Sequence, residues 1–215
     1  MEIISVNLGR VQRIETAKSV DLTGIYKMPT TASVRVTTLG LEGDAVCDTK
    51  HHGGVDQAVY IYGVPDYAWW SAELGRELSP GTFGENLTVG GLESAALAIG
   101  DRLHAGEIIL EVTAPRIPCA TLAARMGDRQ FVKRFRHAER PGVYCRVIRE
   151  GNLCVGEPVR HEPYSGQVII TVGEMFRDFY DRDWDEARLR RYLLAPIAIR
   201  DRKERAKELA QLIGR

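Results

Sequence analysis

The sequence predicts a β-rich α+β fold: a mixed, partly closed β-barrel or sandwich over residues 1–164, followed by a small three-helix unit over 165–215. Three observations predict it. Short runs dense in Val, Ile, Tyr and Thr, at 33–37, 58–62, 108–113 and 143–148, recur between Gly and Pro through the first three quarters. No long alternation of strand and helix occurs, which disfavours a doubly wound sheet. Around Tyr164 the texture changes to helical signatures.

In chain order, a helix is predicted over 65–77, where Tyr67, Trp70 and Leu74 recur at three and four residues. A second helical patch covers 119–137. Gly127-Asp128 divides it, and Asp128 is the predicted N-cap of 129–137. Glu150-Gly151, between 143–148 and 153–155, reads as a tight hairpin. That hairpin would put Cys145 and Cys154 on one face as buried apolar thiols. In the tail, Thr171-x-x-Glu174 is a capping box before Met175, Phe176 and Phe179. Asp183-x-x-Glu186 is a second N-terminal signature. A third helix is predicted over 200–213, with Ala206, Leu209, Ala210 and Ile213 as its apolar stripe and Gly214 as its stop.

Composition narrows the function. The 215 residues carry 29 basic and 29 acidic side chains, net zero. A chain of this length buries roughly 70% of its unfolded surface, so it folds without disulfides or metal. Without a cationic face, a nucleic-acid polymer is not an expected partner. No apolar run approaches the roughly 20 residues that span a bilayer, and Met1-Glu2-Ile3-Ile4-Ser5 is no signal peptide. The expected location is the cytoplasm, with no membrane partner. Cys47, Cys119, Cys145 and Cys154 form no C-x-x-C pair, which excludes a zinc knuckle or thioredoxin motif.

Four segments hold chemistry. In Ala114-Pro115-Arg116-Ile117-Pro118-Cys119, two prolines stiffen the exit from a strand and a cysteine follows at a helix start. Helix amides and Arg116 both favour a thiolate there; the competing reading is a cysteine that plugs a loop–helix junction. In Lys50-His51-His52-Gly53-Gly54-Val55-Asp56, the Gly53-Gly54 backbone is a candidate anion nest. His51 and His52 are neighbours that point opposite ways on an extended chain, so they are not two ligands of one metal. A charged loop such as Glu42, Asp44, Asp48 and Lys50 is ordinarily just solvated. Gly84-Glu85-Asn86 offers an amide and a carboxyl to a heterocycle, or is ordinary turn chemistry. Residues 125–146 hold seven basic residues, enough to seat a phosphate or to form a solvated helix face. Arg146, between apolar strand residues, is the member expected to point somewhere specific.

Taken in order, LGLEGD, HHGG-x-D-x-A-x-Y, FGENL, IGD, P-R-x-P-C and PGVYCRV resemble a MOSC domain, named for the C-terminal domain of molybdenum cofactor sulfurases. The helical tail matches the YiiM type. The resemblance covers nearly the whole chain. It implies a β-barrel-like fold that binds a molybdenum–pterin cofactor, with Cys119 as the protein ligand to molybdenum. It maps the family's histidine onto His52 and its arginine onto Arg116. This chain departs from the pattern at His51, which leaves open which imidazole faces the site.

The implied activity is reduction of N-hydroxylated compounds such as hydroxylaminopurine, a detoxification. His52 is the first choice of proton donor, with Asp44 or Asp56 as relay. Arg116, Gly53, Gly54 and Arg146 would hold the cofactor, and Glu85 and Asn86 would read polar edges. With no flavin or nicotinamide fingerprint, the chain calls for a separate electron donor, a flavoprotein reductase. The tail is the candidate for donor docking or homodimer contact, or a cover for the barrel. Two rival readings are a persulfide carrier built on Cys119 and a Cys119–His52–Asp56 hydrolase or transferase.

Overall fold

A computed structural model describes residues 1–16, 19–49, 52–181 and 183–214. Its strands are β1 (Glu2–Gly9), β2 (Gln12–Glu15), β3 (Val20–Thr23), β4 (Lys27–Thr30), β5 (Val34–Thr37), β6 (Gly40–Leu41), β7 (Val59–Gly63), β8 (Leu87–Gly90), β9 (Arg102–Ala105), β10 (Ile108–Pro115), β11 (Val143–Arg149), β12 (Gly151–Leu153) and β13 (Val159–Glu162). The helices are α1 (Val64–Leu74), α2 (Ala120–Met126), α3 (Phe131–Ala138), α4 (Val172–Tyr180), α5 (Glu186–Leu194) and α6 (Ile199–Ile213).

One eight-stranded sheet, in the order β13-β9-β10-β11-β7-β8-β1-β4, carries the fold. Its pairs are antiparallel except β7 with β8. A parallel pair needs a crossover, and α1 provides it: Pro65 starts the helix and Gly75, at φ 63°, ends it. The sheet does not close into a barrel, since β13 and β4 are its edges among the described residues. An isolated bridge from Glu2 to Pro158 and a bond from Val159 N to the Met1 carbonyl bring its two ends together. The sheet is thus the partly closed, barrel-like one expected, without a closed barrel among the described residues.

The central strands show why the sheet is covered on both faces. On β7, Val59 and Ile61 join an aliphatic cluster with Ile3, Val6, Val112 and Cys145, while Tyr60 and Tyr62 join an aromatic one. The two-residue alternation of a strand sends neighbours to opposite faces. Trp70 of α1, Phe83, Phe131 and Phe135 of α3, and Phe176 of α4 complete the aromatic side.

The predicted hairpin at Glu150-Gly151 does not form. β12 pairs with β5 in a separate three-stranded sheet, not with β11. The Asp128 side chain accepts from Gln130 N at 2.7 Å just ahead of α3, whose N-cap is Gln130. In the tail, Thr171 Oγ1 accepts from Glu174 N at 3.0 Å, as a capping box requires. Asp185, rather than Asp183, caps α5 by accepting from Arg188 N at 2.7 Å. Ile170, Val172 and Tyr192 belong to the aliphatic cluster and Phe176 to the aromatic one, so tail and sheet share their core. The predicted stripe of α6 is not covered: Ala206, Ala210 and Ile213 are exposed. No helix among the described residues is long and apolar enough to cross a membrane.

Candidate functional site

β10 delivers the site. Beyond Thr113, whose hydroxyl bonds the carbonyls of Asp56 and Tyr144, the proline-stiffened link turns Arg116 inward and leaves Cys119 as the N-cap residue of α2. Arg116 is 4% exposed. Its Nη1 donates to the Phe83 carbonyl, and its Cζ lies 4.9 Å from the Tyr60 ring centroid. Its Nε is buried with no hydrogen-bond partner among the described residues. Burial opposes its charge, but Tyr144, Tyr60 and Cys119 hold the guanidinium protonated.

Cys119 is half-buried and opens on a cavity of about 610 Å³. Burial pushes its thiol up. The hydrogen bond with His52, the Arg116 charge and the Leu122 amide outweigh that and bring it to about 6. The His52 Nδ1 in turn lies 3.5 Å from Tyr144 Oη, a long contact. Lys27, Asp44, Asn86 and Gly53 line the same cavity. The β2–β3 ribbon forms another wall with residues Val20 to Thr23.

The structure thus brings together Cys119, Arg116, His52, Gly53, Asn86 and Asp44. Asp44 is held in place: it pairs with Lys27 at 2.5 Å and accepts from Gly9 N at 2.7 Å and Asn86 Nδ2 at 2.8 Å. Asn86 Oδ1 accepts from Tyr60 N at 3.1 Å, so its amide braces the cavity wall from within. Burial lowers the Lys27 amine against the pull of Asp44.

Four predicted residues lie outside the cavity wall. Glu85 is fully buried behind it. Its Oε1 accepts from Tyr67 Oη, Gly81 N and Thr88 Oγ1, which fixes the 81–86 loop and leaves no path to a ligand edge. Gly54 opens the turn at Val55–Gln57. Gly53 and Gly54 have φ of 74° and 76°, both positive, not the alternating hands that converge two N–H groups on one anion. Arg146 and Asp56 form an ion pair at 3.1 Å that joins sheet to tail. Asp56 accepts from Ile199 N at 2.6 Å, and Arg146 donates to the carbonyls of Pro196 and Ile197 at 3.3 Å. His51 and Lys50 lie outside the described residues.

The basic run at 125–146 faces elsewhere. Arg134 pairs with Asp128 and Glu73, Arg136 stacks on Tyr180, and Arg140 pairs with Asp66. The sequence reading missed Lys27, Cys47 and Tyr144, all of which line the cavity. Tyr144 had a signal: it precedes the buried Cys145, so alternation puts it on the face that carries Arg146. Lys27 and Cys47 had none. Among the described residues, no three His, Cys, Asp or Glu side chains form a metal cage.

Residues 48–160 match the family model described as the MOSC domain. The chain is 38% identical to Bacillus subtilis YflK over 154 residues, covering 72% of this chain and 70% of that protein. It is 28% identical to Escherichia coli YiiM over 89% of this chain and 85% of that one. A Gibberella moniliformis protein named a reductase is 29% identical over 81% of this chain, which spans only 32% of that longer protein. The crystal structure of Geobacillus stearothermophilus YiiM superposes with a TM-score of 0.78 at 25% identity, covering 97% of this chain and 99% of that one. With its curled sheet, its cysteine after the Pro-Arg-x-Pro link and its helical tail, the chain belongs to the MOSC domain family, in the YiiM type.

Proposed function

We propose that the chain is a molybdenum-cofactor-dependent reductase of N-hydroxylated compounds, with Cys119 as its ligand to the metal. The observation that carries this reading is the low thiol of Cys119 beside a buried Arg116 whose Nε has no hydrogen-bond partner among the described residues, both on one cavity of about 610 Å³. Family membership and a relative named a reductase support it.

The residues fit the cofactor. A lone soft thiolate suits a metal that brings dithiolene sulfurs of its own. The cavity has the size of a cofactor site. Arg116, with Lys27 nearby, offers a cationic edge to a phosphate. When bound, the cofactor supplies the two electrons of the conversion R–NH–OH + 2e⁻ + 2H⁺ → R–NH₂ + H₂O. Hydroxide leaves poorly, so the departing oxygen needs a proton at hand. We assign that donation to His52, which hydrogen-bonds Cys119 and has Tyr144 Oη 3.5 Å from its Nδ1. Asp44 acts by holding Lys27 and Asn86.

Electrons come from a separate flavoprotein in this reading. The uncovered stripe of α6 supports docking there. Deleting the tail would strip Val172, Phe176 and Tyr192 from the core, so Ile213→Glu is the sharper probe. It is expected to slow turnover with the physiological donor and leave turnover with a chemical reductant unchanged.

The deciding experiment compares wild type with Cys119→Ala, both made with a working cofactor pathway. One molybdenum per chain and hydroxylaminopurine reduction are expected for wild type alone. A persulfide on Cys119 without molybdenum would instead favour a sulfur carrier, which the same low thiol would serve.

A further inference from the structure

We infer that the ends of α3 and α4 build an anion-binding pocket, separate from the cysteine cavity, that takes a phosphate group on Arg136, His137 and Tyr180. A cavity of about 430 Å³ opens there, lined by Arg136, His137 and Glu139 at the end of α3 and by Phe176, Arg177 and Tyr180 of α4. It shares no lining residue with the cavity of Cys119.

Within the basic run at 125–146, Arg134, Arg140 and Arg146 already pair with carboxylates. Arg136 does not. Its Cζ lies 4.3 Å from the Tyr180 ring centroid, and it makes no hydrogen bond or ion pair with a described residue. Stacking uses the face of a guanidinium and leaves its N–H edge free, held in one orientation. The neighbouring His137 makes no hydrogen bond or ion pair with a described residue either. Its ring donates one N–H when neutral and two when charged.

The Tyr180 Oη is buried without a hydrogen-bond partner among the described residues. Burial raises the phenol against the Arg136 charge, so it keeps its proton and stays a donor. A buried donor left unmade costs free energy, which an acceptor in the pocket would recover.

Arg177 is no part of the donor set, because Glu139 holds it at 2.8 Å. Glu139 is the one non-glycine residue with a positive φ, 50°, among the described residues. An L side chain takes that conformation at a cost. It closes α3 and sets the carboxylate against Arg177 rather than Arg136. The carbonyl ends of the two helices favour cations here. That accounts for charge at Arg136 and His137, but not for free N–H groups around a hollow.

The donors define the ligand. They come from two helices and approach an occupant from more than one side, which suits a tetrahedral oxyanion better than a flat carboxylate. The cavity lies in the size range of small-molecule sites, wider than a bare phosphate. Phe176 gives an apolar wall to the organic group of an ester. Binding needs no cofactor and stands apart from the reductase reading.

The test titrates ribose 5-phosphate, inorganic phosphate and ribose into the purified protein by calorimetry at constant ionic strength. Saturable binding of both phosphates and none of ribose is expected. Tighter binding of the ester would assign the pocket to an organic phosphate, and equal binding to free phosphate. Arg136→Gln should weaken binding about tenfold or more, the scale of a lost hydrogen bond to a charged group. His137→Gln should weaken it about threefold or more, and Arg116→Lys should leave it unchanged. Circular dichroism establishes that each variant is folded. Should Arg136→Gln not fold, His137→Gln carries the test. Wild type that binds no phosphate saturably, folded Arg136→Gln that binds like wild type, or ribose that binds as tightly as its phosphate would overturn the pocket. Binding lost in Arg116→Lys but kept in Arg136→Gln would place the phosphate in the cysteine cavity and overturn it equally.

Discussion

Cys145 and Cys119 lie on opposite sides of the same sheet. Cys145 sits in the aliphatic cluster on β11 and is fully buried; burial pushes its thiol well above the ordinary range, and Glu111 pushes it further. Cys119 packs at the margin of the aromatic cluster, where burial pushes the same way. There His52, Arg116 and a helix amide reverse the outcome. The aliphatic side gives the thiol no hydrogen-bond donor and sets a carboxylate near it, while the aromatic side interleaves its rings with hydroxyls, a guanidinium and an imidazole. Burial raises both thiols, so what separates the inert cysteine from the one with a low thiol is the set of donors and charges around it.

The hardest test of this contrast swaps each thiol for a methyl group. Cys119→Ala is expected to bring turnover and molybdenum content to background while the melting temperature stays near wild type. Cys145→Ala should do the reverse: about 1–2 kcal/mol of stability lost to a small core void, with specific activity retained. Loss of activity per folded molecule in Cys145→Ala would break the comparison. A smaller effect is expected from Arg116→Lys, which keeps the charge but loses the planar fork. Molybdenum loading should fall about 10–100-fold, the scale of losing a group that supports a metal site from behind. Unchanged loading would show that the orphaned Nε has no part in binding.

The pH dependence of alkylation sharpens the contrast further. In cofactor-free protein, iodoacetamide should modify Cys119 with a midpoint at about 6. The thiolate is the reactive form, so the rate levels off above that pH and falls below it. His52 is one of the groups that lower the thiol, so His52→Ala should move the midpoint upward and slow modification at pH 6–7. Cys145 should stay unmodified until the protein unfolds. A His52→Ala profile that matches wild type would remove His52 from the account.

Local chemistry was the legible part of the sequence, and long-range pairing was not. The Pro-Arg-x-Pro-Cys link could be read because proline restricts its own backbone and Cys119 then starts a helix. Thr171 could be read because a capping box is a four-residue event. Glu150-Gly151 misled because its turn chemistry suits a hairpin, yet β12 gains more by pairing with β5, more than a hundred residues earlier in the chain. Arg146 illustrates the same limit in the site. Its isolation among apolar residues correctly marked it as specific, but its partners, Asp56 and the Pro196 carbonyl, come from distant segments. Lys27 was invisible because a strand lysine shows nothing until Asp44 folds over it.

The smallest predicted effect concerns the seam between sheet and tail. Asp56 holds Ile199 N at 2.6 Å and faces Arg146 at 3.1 Å, while its own carbonyl is held by Thr113. It is four residues from His52, so the same short segment serves the tail and the site. Asp56→Asn keeps the shape and one acceptor but loses the charge. The expected cost is about 1 kcal/mol, the scale of a helix-terminal hydrogen bond, which lowers the melting temperature by about 2–4 °C in a chain of this size. If the segment is braced independently by Thr113, Cys119 alkylation should keep its midpoint at about 6. A midpoint that rises with Asp56→Asn would mean that the tail sets the position of His52 through this carboxylate, and tail and site would then be coupled rather than merely adjacent.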